Sequence, residues 1–108
     1  MATINQTKSC DPDCNFSRVA LLIGDVWTIL ILDVLLKNSE LRFGDLSDKI
    51  SGISNSVLSD RLKKLHNHGV VSRVSIASMP PQVIYSLTSK GTSLSPVIKE
   101  IHVFGGLC

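Results

Sequence analysis

Acidic residues are missing from one long stretch of this chain, since no Asp or Glu lies between Arg61 and Lys99. The formal net charge of +2 says little by itself. Its distribution says more: residues 1 to 60 hold five bases against eight acids, whereas residues 61 to 108 hold six bases and only Glu100. Positive potential is concentrated in the second half, on the side that would meet a polyanion. Aromatic residues are also scarce at 5%, so the core of this 108-residue, 44% hydrophobic chain is mostly Leu, Ile and Val, in a single domain of ordinary size. No internal repeat and no low-complexity segment is visible.

Catalytic signatures are absent as well. There is no Gly-rich phosphate loop, no HExxH and no G-x-S-x-G. Asp45 and Asp48 share a helix face only because they lie three apart, and solvation accounts for them. No enzyme and no cofactor is expected. Cys10 and Cys14 lack the C-x2-C or C-x4-C spacing and the matched second pair that structural zinc prefers, and His66, His68 and His102 do not supply one, so no metal site is expected. Residues 1 to 9 are polar, without the basic and apolar regions of a signal peptide, which predicts a cytoplasmic protein with a flexible arm over residues 1–13.

What the chain does have is a hydrophobic run, Val19 to Leu36, broken by Gly24, Asp25 and Asp33. A carboxylate near a bilayer centre costs about 2.5 to 3.5 kcal/mol, so two of them argue against a membrane span and for a soluble core helix. Pro12 stops any earlier helix, and a first helix is expected over Phe16 to Ile23. Asp25 is suited to cap a second, Val26 to Lys37, by accepting from the first-turn amides. VWTILILDVLL is apolar nearly all round, so this helix should be enclosed on most sides, part of the cover coming from a second subunit.

The stretch from Leu41 to Arg73 carries the clearest pattern. Phe43, Leu46 and Ile50 recur at helical spacing, Ser51-Gly52 makes a turn, and from Ser54 the series Leu58, Leu62, Leu65 places one stripe inward. Ser54 is a fitting N-cap and Gly69 a fitting terminator. The opposite face then holds Ser56, Ser59, Asp60, Lys63, Lys64 and Asn67, short hydrogen-bonding groups and two ammonium groups that can reach base edges and phosphates. Two such helices joined by a tight turn form a helix-turn-helix. His66 and His68 end the second helix, where partial positive charge suits the carbonyl end of the dipole.

Two β-rich segments follow, Val70 to Ala77 and Gln82 to Leu87, joined by Ser78, Met79, Pro80 and Pro81. A hairpin directly after a helix-turn-helix is a winged helix. The hairpin is free of acids, which suits contact with backbone phosphate. Thr88 caps a last helix whose Leu94, Val97, Ile98, Ile101 and Phe104 form a stripe, with Pro96 bending it or marking a restart. Either a two-fold partner covers that stripe or it folds back on its own domain. The fold class expected is mainly α with a small β-hairpin: a winged helix-turn-helix over residues 41–87, flanked by dimerisation helices over 14–24 and 89–105.

Several anchor points in order give the chain a family resemblance. They are Cys14, Trp27-Thr28, Ile31-Leu32, Arg42-Phe43 with Leu46, Gly52-Ile53-Ser54, Leu58, Arg61-Leu62, Leu65, Gly69 and Arg73. Pro80-Pro81, Val83, Tyr85-Ser86-Leu87-Thr88, Gly91 and Leu94 complete the series. From about Cys14 to Gly105 the chain resembles the HxlR-type regulators, winged-helix transcription factors related to MarR proteins. The resemblance implies a homodimer on a two-fold, pseudo-palindromic operator, the helix after Ser54 in the major groove and the hairpin as wing. The chain departs from the family where Asp25-Val26 replace Gly-Lys, Ser56 replaces a lysine and Gln82 an arginine, and where Asn15 replaces a proline. The charge losses predict weaker or less salt-dependent DNA binding. Phe104-Gly105 replaces the terminal Trp-Gly and keeps an aromatic plug.

The residues expected to read or anchor double-stranded DNA are Ser54, Asn55, Ser56, Ser59, Lys63 and Lys64 on the helix, Arg42 before the first helix of the pair, and Arg73, Ser75 and Gln82 on the wing. Which of them reaches a base and which a phosphate stays open. Some relatives use an N-terminal cysteine as a sensor of oxidants, quinones or aldehydes, and Cys14 stands at the matching position. A nearby helix N-terminus and Arg18 favour its thiolate, Asp11 and Asp13 oppose it, and Cys108 of another subunit is a candidate partner. The alternative function is a winged-helix protein-interaction module that does not bind DNA.

Overall fold

The structure, a computed structural model, describes residues 15–107, the side chain of Leu107 excepted. The arm over residues 1–13 and Cys10, Cys14 and Cys108 lie outside the described residues. Asn15–Ile23 form helix α1. Asp25 then starts α2 (Val26–Lys37), its carboxylate accepting from the Thr28 amide at 3.1 Å and from the Thr28 hydroxyl at 3.3 Å. Between the two helices the chain bends by 83°, and no single helix among the described residues is long and apolar enough to cross a membrane.

Helix α2 is the spine of the domain. Its Thr28, Ile31, Leu32 and Leu35 are buried, and each Leu or Ile so enclosed contributes about 1.5–3 kcal/mol. It touches α1 as well as α3 (Phe43–Lys49), α4 (Asn55–Asn67), the strand β3 (Gln82–Leu87) and α6 (Ser95–Leu107). The enclosure expected from its composition is complete on one side only, because Val26 is 60% and Leu30 39% exposed.

The helix pair forms as its caps direct. The Asp45 carboxylate accepts from the Arg42 amide at 3.1 Å and opens α3; the Ser54 hydroxyl accepts from the Val57 amide at 3.1 Å and opens α4. Gly69 closes α4 with φ +73°, a left-handed conformation that side-chain-bearing residues rarely adopt, and the Val70 amide turns back to the Leu65 carbonyl at 2.9 Å. His68 is the C-cap and His66 stands in the last turn.

Beyond the hairpin, the sheet has a third strand. Leu41–Arg42 form β1, which pairs antiparallel with β3, and β3 pairs with β2 (Val71–Ile76), giving the order β1-β3-β2. The expected two-stranded wing is thus tied by its second strand to the residues that start α3. Directly opposed residues share a face, so Leu41, Tyr85 and Arg73 lie in one row and Arg42, Ile84 and Val74 in the next, on the other face. Leu41, Val71 and Tyr85 are buried against the helices, while Val74 and Ile76 are 52% and 43% exposed.

The last helix is two helices. Thr88 caps α5 (Ser89–Thr92) by accepting from the Gly91 amide at 3.1 Å, and α6 restarts at Ser95 with Pro96 in its first turn, where a missing N–H costs nothing. The apolar stripe divides. Ile98 is buried and Leu94 half-buried against the same core as α2. Val97, Ile101, Val103 and Phe104 are exposed. His102 secures the outer part of α6, its Nε2 lying 2.8 Å from an Asp33 oxygen whose neighbour takes Lys37 at 3.2 Å.

Candidate nucleic-acid interface

Leu58, Leu62 and Leu65 are at most 1% exposed, so α4 sits with one stripe sealed in the core and the opposite face in water. On that face Ser56, Ser59, Asp60, Lys63, Lys64 and Asn67 are all exposed. Lys63 makes no ion pair among the described residues. Lys64 does: its Nζ lies 3.5 Å from Asp60. Asp60 is bound more firmly by Arg61 at 2.7 Å. The Arg61 hydrogen bond, with Lys64 assisting and burial opposing, holds the Asp60 carboxyl below the usual carboxylate range. A carboxylate therefore stays charged in the middle of the wet face, partly cancelling the lysines beside it.

Arg61, to which the spacing of apolar residues gives no task, proves to be the residue that fixes α4. Its Nε donates to Asp25 Oδ2 at 2.8 Å and its Nη2 to Asp25 Oδ1 at 3.3 Å. The guanidinium is the main cause of a lowered Asp25 pKa; burial works against it, and the Thr28 amide adds to it. Reciprocally, Asp25 and then Asp60 raise the Arg61 pKa, so the fork stays protonated. The cap of α2 and the orientation of α4 are thus one contact. In sequence it shows as an arginine flanking the leucine stripe and as one of the family anchor points, with nothing to indicate a partner 36 residues away.

Among the other expected site residues, Ser54 already commits its hydroxyl oxygen to Val57. Asn55 accepts from the Ser47 hydroxyl at 3.5 Å, joining the two helices of the pair. Arg42 is exposed at the end of β1, in register with Ile84. The wing residues separate: Arg73 and Ser75 oppose Tyr85 and Val83 on one face, whereas Gln82 opposes Ile76 on the other. The helix residues are all exposed, whereas the wing residues are divided between the two faces of the sheet.

Helix pair, three-stranded sheet and exposed second helix define a winged helix-turn-helix protein. The chain belongs to the HxlR-like helix-turn-helix family, which matches residues 22–107, and is a transcriptional regulator of helix-turn-helix, MarR-like type. It is 37% identical over 92 residues to a helix-turn-helix-type transcriptional regulator of Synechocystis sp., covering 85% of this chain and 67% of that protein. A MarR-family transcriptional regulator structure from Porphyromonas gingivalis W83 superposes with TM-score 0.80 at 35% identity, over 88% of this chain and 92% of that one. The reduced form of YodB from Bacillus subtilis superposes with TM-score 0.73 at 36% identity, over 84% and 89% of the two chains.

Proposed function

We propose that the protein is a sequence-specific DNA-binding regulator acting as a homodimer on a pseudo-palindromic operator. The observation that carries this reading is α4, whose leucine stripe is sealed in the core while Ser56, Ser59 and Lys63 stand exposed on the far side. In the major groove, hydroxyls at that spacing reach base edges and Lys63 reaches phosphate, with Asn55, Lys64, Arg42 and the wing residues Arg73, Ser75 and Gln82 as further contacts. Ser54 contributes by its cap. The apolar residues left exposed on α1 and α6, among them Phe16, Leu21, Ile101 and Val103, support a two-fold partner that covers both helices. A gel shift on the protein's own upstream DNA at two salt concentrations tests the reading. Binding that weakens with salt is expected; no shift at low salt overturns it.

A second reading has one observation in its favour. Val74, Ile76 and Met79 leave an apolar edge exposed on the wing, Met79 at 97%, which suits a protein partner better than a phosphate backbone. Under this reading no DNA fragment shifts, and substituting Val74 by Asp abolishes capture of the partner.

We further propose that the regulator responds to thiol oxidation through Cys14, with Cys108 of the partner subunit as its counterpart. The similar protein YodB has been solved in reduced, diamide-treated and quinone-bound forms. Diamide takes two electrons and two protons from a pair of thiols as they become a disulfide. Mass spectrometry without reductant after mild diamide treatment should show a covalent dimer that Cys14→Ser abolishes; an unmodified monomer mass overturns the proposal.

A further inference from the structure

Asp60 stands on α4 midway between Leu58 and Leu62, and at about 3.6 residues per turn this puts it opposite the stripe sealed in the core. Ser56 precedes it by one turn, and Lys63 and Lys64 follow by one. A helix laid with this face toward a duplex therefore brings a negative charge to the centre of the contact. Against phosphate that charge only repels. Against a base edge it is an acceptor, and its surroundings suit that use. Oδ2 takes the Arg61 Nη1 donor at 2.7 Å and lies 3.5 Å from Lys64 Nζ, while Oδ1 has no hydrogen bond among the described residues. Arg61 is in turn clamped by Asp25 through Nε and Nη2. The carboxylate is thus fixed from the core side, with 48% of its side chain exposed. The same Arg61 contact keeps the group ionised, and an ionised carboxylate has acceptors only. What meets it must be a donor.

The major groove offers few donors: the N4 amine of cytosine and the N6 amine of adenine. Adenine sets its amine beside its own N7 acceptor, which a carboxylate repels. Cytosine presents N4 with no acceptor beside it on the same base, so cytosine is favoured. Its partner guanine shows O6 and N7, both acceptors, and these call for a donor. Lys64 is at hand, since an ammonium has three hydrogens to give and its one contact, with Asp60, is long. In a C·G pair cytosine N4 and guanine O6 are hydrogen-bonded to each other, hence about 2.9 Å apart. Asp60 and Lys64 hold acceptor and donor 3.5 Å apart, so polarity and spacing both match.

We propose that Asp60 and Lys64 determine sequence specificity by reading one C·G pair in each half-site, the carboxylate accepting from cytosine N4 and the ammonium donating to guanine O6 or N7. This rests on the reading that α4 enters the major groove. Asp60 then lowers affinity for DNA in general and restores it for duplexes with cytosine in one place. A carboxylate that merely neutralised Lys64 would lower affinity for every sequence alike.

The test is selection of bound duplexes from a randomised DNA library by the full chain, followed by fluorescence anisotropy on the selected duplex and on versions changed at single positions. The native protein should enrich cytosine at positions related by the two-fold, and exchanging that C·G pair for T·A should weaken its binding about fivefold or more. Asp60→Ala should lose the enrichment at those positions alone, keep the rest of the selected sequence, and bind duplexes lacking the cytosine more tightly than the native protein does. Asp60→Asn should turn the preference toward adenine, because an amide pairs with both N6 and N7; being isosteric, it also decides the matter where Asp60→Ala disturbs the helix. Lys64→Ala should flatten the same positions. If the Asp60 variants tighten every duplex by the same factor, or if all three variants select the native sequence, the proposal is overturned and DNA binding is left standing. If the native protein enriches no sequence at all, the sequence-specific DNA-binding reading falls and this proposal falls with it.

Discussion

Arg61 and Asp25 meet through two hydrogen bonds, at 2.8 Å and 3.3 Å, so that the carboxylate that starts α2 also orients the helix with the exposed polar face. Replacing Asp25 by Ala removes a helix cap, which alone costs about 0.5–2 kcal/mol, and leaves the guanidinium with Asp60 only. Urea denaturation should show the midpoint lowered with an unchanged slope. Arg61→Lys keeps the charge but not the planar fork, and should fall between the native protein and Asp25→Ala.

Acid should loosen the fold in a defined window. At Asp33 burial pushes the carboxyl up, but His102 and Lys37 together outweigh it; at Asp25 the Arg61 hydrogen bond dominates. Both folded-state pKa values therefore lie below the ordinary 3.8. A depressed carboxylate pKa contributes stability that is fully present above the unfolded value and disappears as pH falls through the folded one. The denaturation midpoint should thus decline as pH drops below about 4, and Asp25→Asn should flatten part of that decline. A midpoint independent of pH in this window would contradict both contacts.

Lys63 and Lys64 should not be equal in DNA binding. Lys63→Ala is expected to weaken binding across sequences and to lower the salt slope by about one, the signature of one lost phosphate contact. Lys64→Ala should do less, since Lys64 is shared with Asp60. Fluorescence anisotropy at several salt concentrations checks the order, and equal slopes for both variants would place phosphate elsewhere.

Gly91 lies so close to the Val70 carbonyl oxygen that an added Cβ would overlap it, and would also meet Leu87 at 3.0 Å. Gly91→Ala must therefore push α5 away from the sheet. A loss of about 1–3 kcal/mol is expected for such overpacking, read as a lowered thermal midpoint.

Ile101 is 43% exposed on α6. Ile101→Asp places a charge on the surface proposed to meet a second copy, while the monomer core anchored by Ile98 is untouched. Size-exclusion chromatography should show the native protein at dimer mass and the variant at monomer mass; identical elution of the two at dimer mass would move the interface away from α6.

Much of this architecture was legible wherever one residue's chemistry decides a boundary. Asp25, Ser54 and Thr88 accept from the amides their positions predict, and Gly69 takes the left-handed turn. These features are local, so a single chain displays them. The strand β1 was not legible, because two residues show no periodicity and its partner Tyr85 lies far along the chain. Nor was the division of the wing residues, for Val74 and Ile76 alternate correctly yet face outward. Alternation tells which residues share a face but not which face the helices cover. The task of Arg61 was hidden for the same reason: its significance comes from a partner brought near only by folding.

The order β1-β3-β2 has a mechanical side. A pull on the tip of the hairpin travels down β3 to β1 and arrives at Phe43, the first residue of α3, directly after the ladder ends at Arg42. The helix pair and the hairpin are therefore joined through one sheet, and under the proposed DNA-binding reading a duplex that bends to meet the wing brings the helix pair along with it.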